Sequence, residues 1–305
     1  GGCDIGSRPI DLHLKAFEKL GIKITQNYGE IYCTCEKIIG EKIDLDFPSV
    51  GATENTILAS VLQEGTTTIT NAAQEPEIED LANFLNKMGA KIKGAGTNKI
   101  EIEGVKKLKE ISYNIMPDRI ETGTFLCLAG ATGGNIELQN VNPIHVTPVI
   151  AKLEEAGCYI EKEKNKIKIQ APKKLKAIDI KTMPYPGFPT DMQSVFGAML
   201  TTAKGTSMIV ENIFENRYKY TQDLNKMGAK ITIEGKTAVI RGVRKLYGAT
   251  VKASDLRGGA ALVVAGIMAK GITVVENIDY ILRGYENFEK KLREIGANIE
   301  TSKAL

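Results

Sequence analysis

Histidine is almost missing from this sequence of 305 residues, where only His13 and His145 occur. With no third partner at ligand spacing, a zinc site or a serine triad built on histidine is not expected, and no metal or cofactor is assigned. Long apolar runs are also missing: the longest, Ala260 to Ala269, is too short to span a bilayer. The sequence lacks a concentrated basic block, since 40 basic and 37 acidic residues are interspersed to a net charge of +3. That argues against a nucleic-acid partner and leaves local anion sites open. There is no C-x-x-C pair and no secretory hydrophobic segment, and the five cysteines are odd in number. A reducing, cytoplasmic setting is expected rather than a disulfide framework. Cys33 and Cys35 share a strand face, Cys127 and Cys158 fall in apolar surroundings, and all four read as inert thiols. Methionine does not open the chain, so an upstream segment is expected to be missing.

What is present in quantity is ordinary. The 43% hydrophobic and 25% charged residues fit a soluble globular protein, and the length exceeds what one core supports, so two domains are expected. One phrase recurs: KLGIKI from Lys19, KMGAKI from Lys87, EAGCYI from Glu155, KMGAKI from Lys226 and EIGANI from Glu294. Its glycines, Gly21, Gly89, Gly157, Gly228 and Gly296, are spaced by 68, 68, 71 and 68 residues, too regular for accident. An amphipathic helix precedes each glycine, as in EPEIEDLANFLNKM with Ile78, Leu81, Phe84, Leu85 and Met88 on one stripe. Two alternating strands follow, then a loop, a helix apolar on nearly every face, and a strand ending at Asn71, Asn140, Asn212 or Asn277. The repeating unit reads as two strands, helix, strand, helix. The first copy keeps only its loop and helix, Gly1 to Leu20.

Two familiar phosphate motifs fail on inspection. Gly94 and Gly96 begin a dinucleotide fingerprint that Lys99 breaks, and Gly235-Lys236-Thr237 imitates a P-loop whose earlier glycine is Lys230. Both lie in hairpins. More promising are the starts of the apolar helices, where orphan backbone N–H groups suit anions. There the copies differ: Ser49-Val50-Gly51, Asp118-Arg119, Thr190-Asp191 and Asp255-Leu256-Arg257. Asp191 and Asp255 are equally readable as N-caps, with Thr190 to Gln193 resembling a capping box, and Arg257 and Arg283 as solvated surface charges. The glycine-rich segment Gly1 to Arg8 carries one thiol, Cys3, near one cation, Arg8.

In this order, GGCDIGSRPIDLH, FPSVGAT, DRIETGTF, FPTDMQ, IFENRY, SDLRGGAALVVAG and DYILRGYENFEKKLREIGANIE resemble the UDP-N-acetylglucosamine 1-carboxyvinyltransferase family along essentially the whole chain. The resemblance implies an α/β fold, the inside-out α/β barrel, with residues 1–115 as two of three repeats of one domain and 116–305 as a second domain of three. It implies transfer of the enolpyruvyl group of phosphoenolpyruvate to UDP-N-acetylglucosamine in peptidoglycan precursor synthesis, with no membrane or nucleic-acid partner. Cys3 then corresponds to the thiol that protonates the methylene carbon and can form an adduct, and Asp191 to the base for the sugar hydroxyl. Asp255 corresponds to the acid beside the reacting carbon, and Arg8, Arg257 and Arg283 to the arginines holding phosphate and carboxylate. Leu256 falls within that same contact. Arg8, Pro9, Ile10, Asp11 and Leu12 correspond to the uridine stretch, Ser49, Val50 and Gly51 to the diphosphate contacts, and Ile213 with Phe214 to the sugar side. The lysine, asparagine and arginine of the family's first repeat have no counterpart here, so activity is expected of a longer protein carrying that repeat. The sister family acting on shikimate 3-phosphate lacks the GGC loop and the FPTDMQ arrangement. A non-catalytic relative is disfavoured by the joint presence of Cys3, Asp191, Asp255, Arg257 and Arg283.

Overall fold

The computed structural model describes residues 5–6 and 10–302, which divide into two compact units. The smaller comprises residues 10–116 together with Pro184–Pro186; the larger comprises Pro117–Met183, the chain from Gly187 onward, and Ile5 with Gly6. Cys3, Arg8 and Pro9 lie outside the described residues.

In the smaller unit the elements run α1 (Asp11–Lys19), β1 (Lys23–Asn27), β2 (Glu30–Thr34), β3 (Lys42–Asp44), α2 (Val50–Ser60), β4 (Thr66–Thr70), α3 (Pro76–Lys87), β5 (Lys91–Lys93) and β6 (Lys99–Glu103). Strands β1 and β2 form an exposed hairpin. The other four make one sheet in the order β3-β4-β6-β5. Its inward residues Ile43, Ile69, Ile92, Ile100 and Ile102 meet Ile57 of α2 and Ile78 and Leu85 of α3 in a single core.

The larger unit continues with α4 (Arg119–Thr132), β7 (Asn135–Gln139), α5 (Thr147–Glu155), β8 (Tyr159–Glu163), β9 (Lys166–Gln170) and β10 (Ile180–Lys181). Then come α6 (Gln193–Leu200), β11 (Thr206–Val210), α7 (Tyr220–Lys226), β12 (Lys230–Glu234), β13 (Thr237–Arg241) and β14 (Thr250–Lys252). It closes with α8 (Leu256–Met268), β15 (Val274–Glu276), α9 (Asp279–Leu282) and α10 (Phe288–Glu294). The sheets are β7-β9-β8, β10-β11-β13-β12 and the pair β14-β15. Helices α4, α6 and α8 pack against one another, and every residue of α6 is buried. Among the described residues no helix is long and apolar enough to cross a membrane.

The repeating phrase has a clear local cause. Gly89 and Gly228 sit at φ +106° and +92°, a left-handed conformation that side chains resist, and this ends α3 and α7 and turns the chain into the next hairpin. The strand-ending asparagines also do a physical job. Asn71, Asn140 and Asn277 take left-handed φ of 54°, 56° and 60°. Asn71 Nδ2 donates to the Leu45 carbonyl (2.7 Å) and Asn212 Nδ2 to the Thr182 carbonyl (3.0 Å), pinning the chain that enters each apolar helix.

The unit read from the sequence lacks one strand that the structure contains. A short strand, β3, β10 or β14, precedes the apolar helix and pairs in parallel with the strand after it, making a βαβ crossover. Each has only two or three residues and one fully inward side chain, Ile43, Ile180 or Val251, too few to display an alternating pattern.

Close packing of α7 against α6 depends on a residue without a side chain. A Cβ at Gly197 of α6 would overlap the hydroxyl of Tyr220, which is buried and has no hydrogen-bond partner among the described residues. Gly197→Ala is expected to destabilise the protein by about 1–3 kcal/mol, and by less in a Tyr220→Phe background, where the hydroxyl is gone. Urea unfolding of the four proteins checks this, and additive losses would show that the overlap is not the cause.

Candidate functional site

The differing helix starts of the larger unit meet in space. The 3-10 turn Thr190–Met192 leads into α6 without a side-chain cap, so the capping-box reading of Thr190 to Gln193 does not hold. The Asp191 carboxylate is bound instead by two arginines: Oδ1 accepts from Arg217 Nη2 at 2.6 Å, and Oδ2 from Arg257 Nη2 at 3.2 Å and Nε at 3.4 Å. Asp191 keeps 38% of its side-chain surface, whereas Arg217 and Arg257 keep 3% and 12%. A half-open carboxylate thus fronts two guanidinium groups sunk into the protein. The surface-charge expectation for Arg257 is overturned, because α8 carries it into the interior.

Burial by itself would raise the Asp191 pKa, but the charges and hydrogen bonds of Arg257 and Arg217 outweigh it and hold the carboxyl below its ordinary range. For Arg257, burial opposes the cation while Asp191 favours it, and the net result is a cation held more firmly. Arg257 also lies 5.3 Å over the ring of Tyr285, whose hydroxyl is 2.9 Å from Thr124 Oγ1 of α4. Three elements thereby fix one guanidinium. Asp191 accepts only some of the N–H donors of the two arginines; Arg217 Nε and Arg257 Nη1 are buried without a partner among the described residues.

Asp255 does act as an N-cap. Its Oδ1 accepts from Arg257 N (3.1 Å) and Gly258 N (2.9 Å) at the start of α8, and Oδ2 from Ser254 Oγ (3.2 Å), with the residue 2% exposed. Leu256, in the first turn of α8, packs against Gly284, whose chain neighbours are Arg283 and Tyr285. Arg283 itself is exposed at the end of α9. Ile213 and Phe214 follow β11; their N–H groups donate to Glu211 Oε1 at 2.8 and 3.3 Å, and the Phe214 ring lies 5.4 Å from the Arg217 guanidinium. Ile5 is buried here too, its carbonyl accepting from Asn216 N at 3.0 Å beside Arg217.

In the smaller unit, Ser49 caps α2 by accepting from Ala52 N at 3.3 Å, so Val50 and Gly51 form the first turn. Ile10, Asp11 and Leu12 begin α1, which packs on α2. A Cβ at Gly51 would sit 3.0 Å from His13 Cε1, and His13 Nδ1 is 2.8 Å from Asn55 Nδ2, so these two helix starts are adjacent. His145 bonds Asn142 in a short turn, in keeping with a loop role. Among the described residues no three His, Cys, Asp or Glu side chains gather as a metal site would need.

Sequence reasoning missed Arg217 and Glu211 as members of this cluster. Arg217 stands inside IFENRY, four residues after Ile213, so the motif already contained it. Glu211 gave no signal, since a glutamate ending a strand is usually solvated.

This fold is the enolpyruvyl transferase fold. The enolpyruvyl transferase NikO from Streptomyces tendae superposes with a TM-score of 0.87 at 22% identity, over 97% of this chain and 73% of that one. An EPSP synthase from Acinetobacter baumannii does so with 0.76 at 22% identity, over 98% and 73%. Residues 1–292 match the EPSP synthase (3-phosphoshikimate 1-carboxyvinyltransferase) family. Among curated relatives, UDP-N-acetylglucosamine 1-carboxyvinyltransferase 1 of Caldanaerobacter subterraneus is 57% identical over 299 residues, 98% of this chain and 72% of the relative. The corresponding enzyme of Thermodesulfovibrio yellowstonii is 52% identical over 304 residues, 99% and 73%. The chain belongs to the UDP-N-acetylglucosamine 1-carboxyvinyltransferase family.

A carboxyl whose pKa is lower folded than unfolded stabilises the fold fully above its unfolded pKa, and that contribution is lost as the pH falls through the folded value. The difference in urea midpoint between wild type and Asp191→Asn is therefore expected to be widest near neutral pH and to shrink below pH ~4. A constant difference across that range would show that the arginine pair does not favour the ionised form. Burial pushes the Cys158 thiol up to about 11 and that of Cys127 higher than usual, while Cys33 and Cys35 are exposed. Peptide mapping after brief alkylation near pH 8 should find Cys33 and Cys35 modified and Cys127 and Cys158 modified only after denaturation.

Proposed function

We propose that the protein transfers the enolpyruvyl group of phosphoenolpyruvate to the 3-hydroxyl of UDP-N-acetylglucosamine and releases phosphate, the first committed step of peptidoglycan precursor synthesis. The observation that carries this reading is the half-open Asp191 carboxylate between buried Arg217 and Arg257, in a chain 57% identical to enzymes of that name. Asp191 takes the sugar hydroxyl proton as the oxygen attacks C-2, and a proton reaches the methylene carbon from Cys3. Loss of a proton from the new methyl group and cleavage of the bond from C-2 to the phosphate oxygen then give the enol ether and free phosphate. Arg257, Arg217, Arg283 and Arg8 hold the phosphate and carboxylate of phosphoenolpyruvate, and Asp255, fixed as a helix cap, lies toward the reacting carbon.

A carboxylate held by two arginines is a poor base. Phosphoenolpyruvate competes with Asp191 for those donors, and as it draws them to itself the carboxylate recovers basicity when the second substrate arrives. Leu256 belongs to the same contact as Arg257. Ile213 and Phe214 flank the sugar, and Ile10, Asp11 and Leu12 with Ser49, Val50 and Gly51 serve the uridine and diphosphate. The same reading takes each unit as an inside-out α/β barrel with its apolar helices innermost, supported in the larger unit by the mutual packing of α4, α6 and α8. A cytoplasmic location fits the free thiols of Cys33, Cys35, Cys127 and Cys158.

The intact protein mixed with phosphoenolpyruvate and UDP-N-acetylglucosamine should release phosphate, and Asp191→Ala should lower kcat by about 10²- to 10⁴-fold. Cys3→Ser should lose any covalent mass increase seen with phosphoenolpyruvate. No phosphate release, or equal release with shikimate 3-phosphate, would sink the assignment.

A further inference from the structure

We infer that Glu211 is a positioning residue that sets the distance between the base Asp191 and the sugar-contacting loop at Ile213 and Phe214; the inference rests on the function proposed above. Glu211 is 2% exposed, yet among the described residues its carboxylate has no basic partner in hydrogen-bond contact. Four neutral donors satisfy it instead. Oε1 accepts from Thr182 Oγ1 (2.9 Å), Ile213 N (2.8 Å) and Phe214 N (3.3 Å), and Oε2 accepts from Thr190 Oγ1 (2.9 Å). Burying a charge this way is costly unless every lone pair is used, and here the donors come from three separate segments.

Those segments close a ring around the candidate site. From Oε2 the path runs through the Thr190 hydroxyl to Asp191, its chain neighbour; from Asp191 Oδ1 to Arg217 at 2.6 Å; from Arg217 to the Phe214 ring at 5.4 Å; and from Phe214 N back to Glu211 Oε1. Displacing Glu211 therefore moves the base, an anion-binding arginine and the sugar contact together.

The repeat supplies an independent argument. The residues that stand where Glu211 does in the other copies are Thr70, Gln139 and Glu276, none of them buried, and each is followed by an asparagine in left-handed conformation. At Glu211 alone the following asparagine, Asn212, leaves that conformation, and its N–H donates to Thr182 Oγ1 at 2.9 Å, the hydroxyl that itself bonds Glu211. The turn has been rebuilt around a buried carboxylate at the one copy that carries Asp191 ahead of its apolar helix. A purely structural strand end would not require that change.

Steady-state kinetics on the intact protein test the role. Glu211→Ala is expected to lower kcat by about 10- to 100-fold, as sub-ångström misplacement of a base does, and to raise KM for UDP-N-acetylglucosamine several-fold with KM for phosphoenolpyruvate unchanged. Thr190→Val should reproduce the fall in kcat without the rise in sugar KM, because it cuts only the Asp191 arm. Glu211→Gln should recover part of both losses, since its amide oxygen can still accept from Ile213 and Phe214 and its NH2 can donate to Thr190. Constants equal to wild type, a fall in kcat with no change in sugar KM, or parallel rises in both KM values would each overturn the inference. Absence of turnover by the wild type would instead overturn the underlying function.

Discussion

The arrangement of the larger unit follows from one constraint: three helices buried on nearly all sides must approach one another closely. Glycine makes this possible. A Cβ at Gly123 of α4 would come within 2.8 Å of Met192 Sδ, in the turn that leads into α6, and one at Gly130 within 3.0 Å of Met199 Sδ of α6. Because the helices are packed this tightly, their starts are brought together as well, with Met192 against α4 and Asp191 against Arg257 of α8. The site is a consequence of the packing. Backbone N–H groups at these helix starts need acceptors, which an anion supplies well, and Asp255 does so by capping α8 with its own carboxylate.

A charged cluster on such a scaffold is both stabilising and reactive. Arg217 and Arg257 lie where an unpaired cation would be costly, so Asp191 is needed to neutralise them while no other anion is present. In the reaction proposed above, the same carboxylate is the group that acts as base. These demands conflict only while the arginines have no alternative. In the proposed reaction the anionic substrate replaces Asp191 as their partner, which converts binding energy into basicity at that carboxylate. Neutral supports hold the geometry around this exchange, with Tyr285 under Arg257 and Thr124 on Tyr285.

Much of this was legible beforehand, and the failures have physical causes. The repeat showed because each copy needs a glycine with positive φ at the same place, and one backbone requirement leaves one residue type. Helices α3 and α7 were readable from apolar spacing, and α4, α6 and α8 from being apolar throughout. Strands β3, β10 and β14 were not, being shorter than one period of the pattern that would reveal them. The ambiguity of Asp191 and Asp255 resolved in opposite directions, since capping depends on whether the helix begins at that residue or a turn later. Asp255 immediately precedes α8, whereas Asp191 lies in a 3-10 turn ahead of α6.

By itself the sequence determined the period, the order of the longer elements, the family and the motifs from which the candidate site is built, because these depend on local backbone needs and on residues contiguous in the chain. Only the tertiary structure decided which charges are partners. The Asp191 to Arg257 contact joins residues 66 apart, and nothing local distinguishes Arg257 from a surface arginine. It also decided that Glu211 is buried, since a strand-end glutamate becomes an internal acceptor only when Thr182, Thr190 and the turn at Ile213 are folded around it. Pairing of buried charges is a property of the space between elements, and that space does not exist until the helices have packed.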